Sequence, residues 1–576
     1  MRLQALAVDY DGTLASHDRL ADGAAVALER ARRTGLRLIL VTGRTFFELT
    51  RVCARLDLFD AVVAENGAVL HFPSDDAICD EGPPPPLRLI AELDRRSIPF
   101  QTGRVIVGTG HSYEAEVRAV LAAAGVDLRL VRNRAALMLL PAGVSKGSGV
   151  RRAMQRLGVS FHDVLAIGDA ENDVDLFAAC GYAACPGSAV AEVAAVADWV
   201  FPGDDGAAVV RAIEGPILGG ALPPARTARE RIELGWAGAT SERVTIPARG
   251  VNVLVHGDSL SGKSWLTGGL VERLVGREYA TCVIDPEGDY QGLADAAGVT
   301  WVEVDDARAW DAALATLARD PAASLVVDLS APSHDRKLDL IRHGLQAIAR
   351  VRAQHGRPHW TILDEAHYWL HEQGVADEAA GFAHKGFCLV TYKASWLRQT
   401  ILDAVDFVVL GCTTAPVERA VLAALLERRG KGHAATTLTA AAELVPPEFV
   451  LVPTAAGLDA VNFVAAPRIT RHVRHLGKYA DQPVAPREAF FFRRADGRPA
   501  GAADSLRVFL GQLRQVDEDV LAHHASRGDF SRWIADVFAE RRLAARVRKI
   551  ERRWQADHRM PLRSALVGLL ADVTAP

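Results

Sequence analysis

Two aspartates separated by one residue follow an apolar run near the start of this chain. Residues 3–8 predict a buried parallel strand, and Asp9, Tyr10 and Asp11 come directly after it. Two carboxylates this close repel each other unless a positive charge lies between them, and Mg²⁺ with its oxygen ligands is the natural candidate. A strand end followed by an ordinary Asp-Gly turn is the simpler alternative.

Three later segments also carry polar groups beside predicted strands or helices. The run LRLILV leads into Thr42 and Gly43, and a threonine there could offer its hydroxyl and N–H to a phosphate. Lys146 begins an amphipathic helix, where the helix dipole repels a cation unless an anion lies nearby. The strand VLAI precedes Asp169 and Asp173. A helix cap for Thr42 and a solvated surface site for Lys146 are the alternatives.

These segments together resemble the four motifs of the haloacid dehalogenase (HAD) superfamily, in its phosphatase branch. The motifs are DYDGT, TGR, Lys146 and GDAEND, and the resemblance covers roughly residues 1–215. ENGA at 65–68 and an insert of about 70 residues before Lys146 resemble the Cof-type (IIB) group. The resemblance implies a Rossmann-like α/β domain whose site is covered by an α/β cap at about residues 72–142.

The resemblance also implies a catalytic sequence. Asp9 would attack phosphorus and form an aspartyl-phosphate. Asp11 would protonate the leaving oxygen and then activate water. The phosphoryl oxygens would be held by Thr42, Gly43 and Lys146. The substrate would be a small phosphorylated compound, either a sugar phosphate or a compound similar to phosphoglycolate.

The same resemblance implies a Mg²⁺ site made of carboxylate and carbonyl oxygens. Asp9 and Asp169 would bind the ion together with the backbone carbonyl of Asp11. Asp173 would complete or orient this shell. Mg²⁺ is therefore the cofactor expected for the first part of the chain.

A second phosphate-binding pattern, GDSLSGKS, lies between a predicted strand and a predicted helix near the middle of the chain. In a GxxxxGK[ST] loop the backbone N–H groups face the phosphates, the lysine reaches the β and γ phosphates, and the serine binds Mg²⁺. The expected nucleotide-binding residues are Gly257, Asp258, Ser259, Leu260, Ser261, Gly262, Lys263 and Ser264.

A nucleotide-hydrolysing loop needs partner carboxylates, and ILDEAH supplies them. Asp364 would hold the Mg²⁺ shell with Ser264, and Glu365 would polarise the attacking water. Acidic residues in the first turn of a helix are the alternative explanation of this motif. The segment IDPEGDY places Asp285 and Glu287 at the end of another predicted strand.

GDSLSGKS, IDPEGDY, ILDEAH and VTYKASWLRQTILDAVDFVVLGCT resemble the HerA/FtsK class of P-loop ATPases over about residues 240–465. The resemblance implies ATP as ligand and a homo-oligomer formed through this domain. Within the last segment, Thr391 and Lys393 are candidate contacts of the γ-phosphate. The class is best known for DNA translocases, but this part of the chain is not basic and contains no recognised DNA-reading module, so nucleic acid is not indicated as a partner.

Bulk composition narrows the class of protein. The chain has 576 residues, of which 49% are hydrophobic, so we expect more than two domains with buried cores. A net charge of -5 gives no general attraction to nucleic acid. The seven cysteines are scattered without CxxC pairs, which favours a reducing cytoplasm over disulfides or zinc. We find no signal peptide and no apolar run long enough to span a membrane.

The predicted domain order is a phosphatase domain (1–215), a linker (216–239), a P-loop α/β domain (240–470) and a mainly helical domain (485–576). The last part is basic, with 21 Lys and Arg against 13 Asp and Glu from residue 467 onward. Its segment RRLAARVRKIERRW has an apolar stripe on one helical face. This helix either packs on the body with a solvated basic face or docks nucleic acid or an acidic partner.

Three functions are compatible with these motifs. The first is a bifunctional enzyme that combines a Mg²⁺-dependent phosphatase with an ATP-binding and ATP-hydrolysing domain. The second is a nucleic-acid-associated motor or defence-type ATPase with a phosphatase effector domain. The third is a scaffold that binds nucleotide and phosphate with little turnover. Asp11 and Glu365 argue against the third function, because both are turnover residues.

Overall fold

The computed structural model describes most of the chain. The described residues are 3–16, 18–204, 206–223, 225, 230–238, 241–370, 379–382, 384–430, 434–455, 458–471, 484, 486–538 and 541–574. Parts of the predicted linker 216–239 lie outside these ranges. Within the described ranges, no helix combines the length and apolar character that a membrane crossing requires.

The first part of the chain alternates short apolar strands with helices. In chain order the elements are β1 (Ala5–Asp9), β2 (Ala15–Ser16), β3 (Arg19–Leu20), α1 (Ala24–Arg33), β4 (Arg37–Val41), α2 (Phe46–Val52), β5 (Ala61–Ala64), β6 (Val69–Phe72), β7 (Ala77–Asp80), α3 (Leu87–Arg95), β8 (Phe100–Thr102), β9 (Val107–Gly110), α4 (Glu114–Ala124), β10 (Arg129–Asn133), β11 (Ala136–Leu140), α5 (Lys146–Leu157), β12 (Val164–Ile167), α6 (Val174–Ala179), β13 (Tyr182–Pro186), α7 (Ala191–Val196), β14 (Trp199–Phe201) and α8 (Gly206–Ala212).

Eight of these strands form the first sheet, in the order β14-β13-β12-β1-β4-β5-β6-β7. The six strands from β14 to β5 are parallel, while β6 and β7 add in antiparallel fashion. Side chains alternate between two apolar cores, one on each face of the sheet. This is the Rossmann-like α/β arrangement expected for residues 1–215, and it brings the carboxyl ends of β1, β4 and β12 to one edge.

A separate antiparallel sheet with the order β10-β11-β9-β8 forms the cap. Helices α3 and α4 cover one face of it and share its apolar core. The cap's own elements span residues 87–140, somewhat inside the predicted 72–142. The difference arises because β7 pairs with β6 and extends the main sheet instead.

The second part of the chain is also α/β. Its elements are β15 (Arg231–Trp236), β16 (Arg243–Pro247), β17 (Val253–His256), α9 (Lys263–Val275), β18 (Thr281–Asp285), β19 (Val299–Glu303), α10 (Ala307–Arg319), β20 (Ser324–Asp328), α11 (His334–His355), β21 (Trp360–Leu363), α12 (Ala379–Phe382), β22 (Phe387–Thr391), α13 (Gln399–Asp403), β23 (Phe407–Leu410), α14 (Pro416–Arg428), α15 (Ala434–Ala441), β24 (Glu448–Pro453) and β25 (Val461–Ala465).

Eleven strands form the second sheet, in the order β16-β15-β25-β24-β23-β17-β22-β21-β18-β20-β19. The seven strands from β23 to β19 are parallel, and the other four are antiparallel. Apolar cores lie on both faces. Only β22 separates β17 from β21, so the loops after these two strands lie close together.

The C-terminal part is a β-hairpin followed by helices. The elements are β26 (Phe490–Arg493), β27 (Pro499–Ala503), α16 (Leu506–Gln515), α17 (Glu518–Arg527), α18 (Asp529–Val537), α19 (Arg541–Ala556) and α20 (Leu562–Thr574). In α19, Leu543 and Val547 are buried in the core of this part, and Ile550 and Trp554 pack against it. The apolar stripe predicted for this helix therefore faces the protein.

The first and second sheets are joined by direct contacts. The buried guanidinium of Arg357 donates to the carbonyl oxygen of Gly158 at 3.1 Å and to that of Leu317 at 2.6 Å. The ring of His162 stacks on that of Tyr279, with centroids 3.6 Å apart. Gly158 follows α5 and Tyr279 lies just beyond α9, so these two helices end at the same interface.

Candidate functional site

The first candidate site lies at the carboxyl edge of the first sheet. Asp9 ends β1 and is only 3% exposed. The chain then turns at Gly12, whose φ of 77° is a conformation that favours glycine. A Cβ atom on Gly12 would fall 2.5 Å from Oδ2 of Asp169. Gly12 therefore lets the loop after β1 approach the loop after β12.

Lys146 lies buried between two of the predicted carboxylates. Its Nζ donates to Oδ1 of Asp9 at 2.6 Å and to Oδ1 of Asp173 at 2.7 Å. Burial disfavours the ammonium group, but Asp173 and Asp9 outweigh this effect and hold the pKa of Lys146 above its ordinary value. Ser145 caps α5 by accepting the N–H of Ser148, and this fixes the start of the helix. Lys146 is thus the cation that the two carboxylates require.

Asp9, Asp169 and Asp173 form a buried acidic group that fits a divalent cation. Each offers one carboxylate oxygen, and these atoms lie within 4.8 Å of one another. Thr13 Oγ1 donates to Asp169 Oδ1 at 2.8 Å, and Asp173 Oδ2 accepts the N–H of Asp169 at 2.9 Å. Burial raises the pKa of Asp9 and of Asp169, and Asp173 raises both further. Mg²⁺ among these oxygens would relieve that penalty.

The side chain of Asp11 lies outside this acidic group. Its carboxylate is 43% exposed and accepts two hydrogen bonds from the guanidinium of Arg44, with 2.8 Å between Arg44 Nε and Asp11 Oδ2. Arg44 also pairs with Asp18. The sequence prediction assigned the backbone carbonyl of Asp11 to the metal and its carboxylate to proton transfer. An exposed carboxylate at the opening is compatible with the proton-transfer role.

Thr42 and Gly43 follow β4 at the same edge. The N–H of Thr42 donates to the carbonyl oxygen of Val63 at 2.9 Å, so the expectation that this N–H binds phosphate is wrong. The Thr42 hydroxyl accepts the N–H of Arg44 at 3.1 Å and keeps its own proton for another acceptor. A Cβ on Gly43 would fall 2.8 Å from Cε of Met138, a cap residue. Gly43 therefore allows the cap to close on this loop.

Glu65 fastens the cap to the first sheet. Its buried carboxylate accepts the backbone N–H groups of Arg104, Val105 and Ile106 at 2.9, 3.0 and 3.2 Å. A Cβ on Gly103 would fall 2.4 Å from Oε2 of Glu65, so glycine is needed there. Sequence reasoning noticed the ENGA motif but could not pair it with a loop about 40 residues away.

Another cap residue missed by sequence reasoning is Arg134. Its guanidinium contacts Oδ2 of Asp169. Its backbone N–H donates to Oε2 of Glu171 at 3.1 Å. A single arginine in a basic stretch of the cap carries no recognisable signal, because only the folded hairpin brings it to the acidic group.

Comparison with known proteins agrees with this geometry. The family described as haloacid dehalogenase-like hydrolase matches residues 6–84 and 127–213. A phosphoglycolate phosphatase from Archaeoglobus fulgidus is 30% identical over 221 residues, which cover 37% of this chain and 96% of that protein. The chain belongs to the haloacid dehalogenase-like hydrolases.

Other relatives match the same part of this hydrolase. A phosphoglycolate phosphatase from Aeropyrum pernix is 34% identical over 237 residues, covering 38% of this chain and 95% of that protein. A haloacid dehalogenase-like hydrolase of known structure from B. subtilis is 18% identical, with a TM-score of 0.33, and covers 37% of this chain and 99% of that one.

The second candidate site of this haloacid dehalogenase-like hydrolase follows β17. Residues 257–264 run from the end of β17 into α9, which begins at Lys263. Lys263 Nζ donates to the carbonyl oxygens of Gly257 and Asp258, both at 2.8 Å. Ser264 Oγ donates to Oδ2 of Asp289 at 3.1 Å. The loop thus wraps around the ammonium group of its own lysine.

A cavity of about 440 Å³ lies between this loop and the end of β21. Lys263, Ser264, Asp364 and Glu365 all line it. The two acidic residues are 2% and 3% exposed. The remaining walls are largely apolar and include Trp265, Tyr392, Pro446, Pro447 and Phe449. The predicted loop and the predicted carboxylates therefore face one shared space.

The loop after β18 contributes a carboxylate, Asp289, that the sequence analysis did not single out. Asp285 accepts the N–H groups of Gly288 and Tyr290 at 2.8 Å each, so it shapes the turn. Burial, with Asp289 nearby, raises the pKa of Asp285 to about 8. Asp289, not Asp285 or Glu287, contacts Ser264. Sequence reasoning missed Asp289 because the turn reverses direction between the two aspartates.

The segment after β22 lies next to the acidic end of β21. Thr391 Oγ1 lies 3.0 Å from Nδ1 of His367, and that nitrogen lies 3.5 Å from Oε2 of Glu365. Lys393, by contrast, has its Nζ 3.8 Å from the ring centroid of Trp396. Thr391 is therefore linked to Glu365 through His367, whereas Lys393 rests on an aromatic ring.

Proposed function

We propose that residues 1–215 are a Mg²⁺-dependent phosphatase for small phosphate monoesters and that residues 240–470 bind and hydrolyse ATP. The observation that carries the phosphatase proposal is the buried group of Asp9, Lys146, Asp169 and Asp173, with Asp11 two residues after Asp9. The names of the relatives support phosphoglycolate, or a similar phosphorylated acid or sugar phosphate, as the substrate.

Each residue of the first site would act through chemistry that its surroundings favour. Asp9 attacks phosphorus and becomes the aspartyl-phosphate. Lys146 donates to Asp9 and opposes the rise in its pKa that burial causes. Asp11, once protonated and released from Arg44, donates that proton to the leaving oxygen, and the resulting carboxylate later accepts a proton from water. Mg²⁺ bound by Asp9 and Asp169 would offset the negative charge of the phosphoryl group.

Replacing the nucleophile tests the phosphatase proposal. Asp9→Asn should lower phosphatase activity on phosphoglycolate and sugar phosphates by more than about 10³-fold, because an amide does not attack phosphorus. Release of inorganic phosphate in the presence of Mg²⁺ measures this loss. ATP binding by the same variant serves as the control and should not change. Full phosphatase activity in Asp9→Asn would contradict the proposal.

The ATPase proposal is supported by the cavity shared between the glycine-containing loop and the carboxylates after β21. Its volume of about 440 Å³ lies within the range of small-molecule sites. Lys263 would leave its carbonyl partners for the β and γ phosphates. Ser264 and Asp364 would hold Mg²⁺, and Glu365 would polarise the attacking water. Apolar walls such as Phe449 would cover the base.

Replacing the loop lysine tests the ATPase proposal. Lys263→Ala should weaken ATP binding by roughly 10- to 100-fold, because charged hydrogen bonds to the phosphates are lost. Equilibrium dialysis with labelled ATP measures the affinity. Phosphatase activity should stay at the level of the unsubstituted protein. Unchanged ATP binding would show that this loop does not form the nucleotide-binding site.

One observation favours the alternative of a nucleic-acid-associated ATPase with a phosphatase effector. Arg548, Lys549, Arg552 and Arg553 of α19 line a groove of about 700 Å³ on the C-terminal part. A row of cations of this kind suits a phosphate backbone. Stimulation of ATP turnover by DNA, measured against the protein alone, would favour this alternative.

A further inference from the structure

Arg134 occupies an unusual position at the tip of the hairpin formed by β10 and β11. Its φ is 51°, a left-handed conformation that residues other than glycine, asparagine and aspartate seldom adopt. The hydrogen bond from its N–H to Glu171 fastens this turn to the loop after β12. The tip of the hairpin is therefore held directly over the acidic site.

The side chain of Arg134 spans the opening of that site. It is 55% exposed, yet its guanidinium reaches the fully buried carboxylate of Asp169. The ligand oxygen that Asp169 offers lies within 4.8 Å of the one offered by Asp9. A guanidinium at this position is accessible from solvent and lies close to the predicted nucleophile.

The other described arginines of the cap are engaged elsewhere. Arg132, on the same hairpin, pairs with Glu114 at 2.7 Å, and Arg104 pairs with Asp80 at 2.7 Å. Arg129 pairs with Asp175 on α6 at 3.2 Å. Among the described arginines of residues 87–140, Arg134 is the one that reaches the acidic group.

We propose that Arg134 is the specificity-determining residue of the phosphatase and binds a carboxylate on the substrate close to the phosphate ester. This inference rests on the proposed phosphatase function. Guanidinium groups match carboxylates in charge and in bidentate geometry. When Asp169 binds the metal ion, its charge is shared with that ion, and the arginine is available to a second anion at the opening.

The contact between Arg134 and Asp169 also limits the separation between the two anions of the substrate. The second anion must lie near the transferred phosphoryl group, so the carboxylate is separated from the ester oxygen by only one or two carbons. Short phosphorylated acids satisfy this condition. Hexose phosphates do not, because they have no carboxylate for the guanidinium to bind.

A pair of substrates matched in size but not in charge tests this inference. Phosphoglycolate carries the carboxylate, and 2-hydroxyethyl phosphate has the same phosphate ester with a neutral hydroxymethyl group in place of the carboxylate. Arg134→Gly removes the guanidinium and suits the left-handed backbone, so the turn should fold normally. We expect kcat/KM for phosphoglycolate to fall roughly 10- to 100-fold, mainly through KM, while that for 2-hydroxyethyl phosphate changes less than about 3-fold.

Two matched variants complete the experiment. Arg132→Gly removes a neighbouring hairpin arginine and should leave the ratio of the two substrates unchanged. Arg134→Lys should retain part of the preference, because it keeps the charge but loses the bidentate geometry. Calorimetric binding of phosphoglycolate to Asp9→Asn, with and without Arg134→Gly, gives a readout that is independent of turnover.

The possible outcomes separate the two proposals. If the unsubstituted protein hydrolyses neither these two esters nor sugar phosphates in the presence of Mg²⁺, the phosphatase function itself fails. If it hydrolyses sugar phosphates alone, the phosphatase function stands and the proposed specificity role is overturned. If it hydrolyses both esters and Arg134→Gly lowers kcat/KM equally for the two, Arg134 acts on the phosphoryl group or on the fold. The proposed specificity role is then overturned. A preserved preference for phosphoglycolate in Arg134→Gly overturns it as well.

Discussion

Lys146 and Lys263 are both candidate phosphate-binding residues, and each is the first residue of a helix, but their partners differ. Lys146 is buried between the carboxylates of Asp9 and Asp173. Lys263 donates to two neutral carbonyl oxygens of its own loop. A helix N-terminus repels cations, so both ammonium groups need hydrogen-bond acceptors nearby. The acceptors differ between the two sites. At the first site the lysine pairs with two buried carboxylates from different segments, and at the second site the lysine closes the backbone of its own loop around its ammonium group.

This difference predicts unequal effects on stability when the lysines are removed. Lys146→Ala leaves Asp9 and Asp173 buried without their cation and should destabilise the first part of the chain by about 3–5 kcal/mol. Lys263→Ala removes two hydrogen bonds to backbone carbonyl oxygens of one loop and should cost less, about 1–3 kcal/mol. Differential scanning calorimetry without Mg²⁺ measures both variants.

The control for this comparison is the addition of Mg²⁺. In Lys146→Ala the acidic group keeps its three carboxylates, so Mg²⁺ should recover part of the lost stability. Lys263→Ala should show little change in its thermal midpoint with Mg²⁺ alone. A loss of less than about 1 kcal/mol in Lys146→Ala would show that the buried carboxylates do not depend on Lys146.

The sequence alone predicted which residues meet at the carboxyl ends of parallel strands. Asp9, Thr42 and Asp169 each follow a strand of one parallel sheet, and such ends meet at a common edge. The same reasoning paired the loop after β17 with Asp364 and Glu365. These predictions depend on local apolar patterns, which a single sequence displays directly.

Contacts that depend on side-chain direction or on a distant loop could not be predicted in this way. The carboxylate of Asp11 turns to Arg44, and the N–H of Thr42 is used by Val63. Glu65 binds the loop at 104–106, and Ser264 donates to Asp289, which the sequence analysis did not single out. Each contact is set by how separate segments fold onto each other, and no spacing within one segment encodes it.

The second comparison concerns the carboxylates expected to act on water. Glu365 is 3% exposed and lines the cavity beside residues 257–264, whereas Asp11 is exposed at the opening of the first site. Glu365→Gln keeps the shape but cannot accept a proton, so ATP hydrolysis should fall by about 10²- to 10⁴-fold while ATP binding persists. Phosphate release and equilibrium dialysis measure the two properties, and phosphoglycolate hydrolysis should not change. If Glu365→Gln abolishes ATP binding instead, Glu365 maintains the shape of the cavity and does not act on water.

The smallest expected effect concerns the cap that covers the first site. The Glu65 carboxylate accepts three backbone N–H groups from residues 104–106, and a glutamine side chain has one oxygen in place of two. In Glu65→Gln the side-chain NH₂ group would face backbone N–H groups from which it cannot accept a hydrogen bond. This should weaken the docking of the cap by about 1–3 kcal/mol. Hydrogen exchange at the amides of residues 104–106 should accelerate, and phosphatase kcat should fall modestly because Arg134 and Met138 are carried by the same cap.

A matched variant separates this effect from a general loss of charge on the cap. Glu92 pairs with Arg95 and Arg96 on the outer face of α3, so Glu92→Gln removes one cap carboxylate without touching the joint. It should leave both the exchange rates at 104–106 and kcat nearly unchanged. If Glu65→Gln accelerates exchange but leaves kcat intact, the docked position of the cap is not needed for turnover. Arg134 would then have to select the substrate from a cap that moves freely over the site. In that case the Glu65→Gln protein should show a smaller preference for phosphoglycolate over 2-hydroxyethyl phosphate.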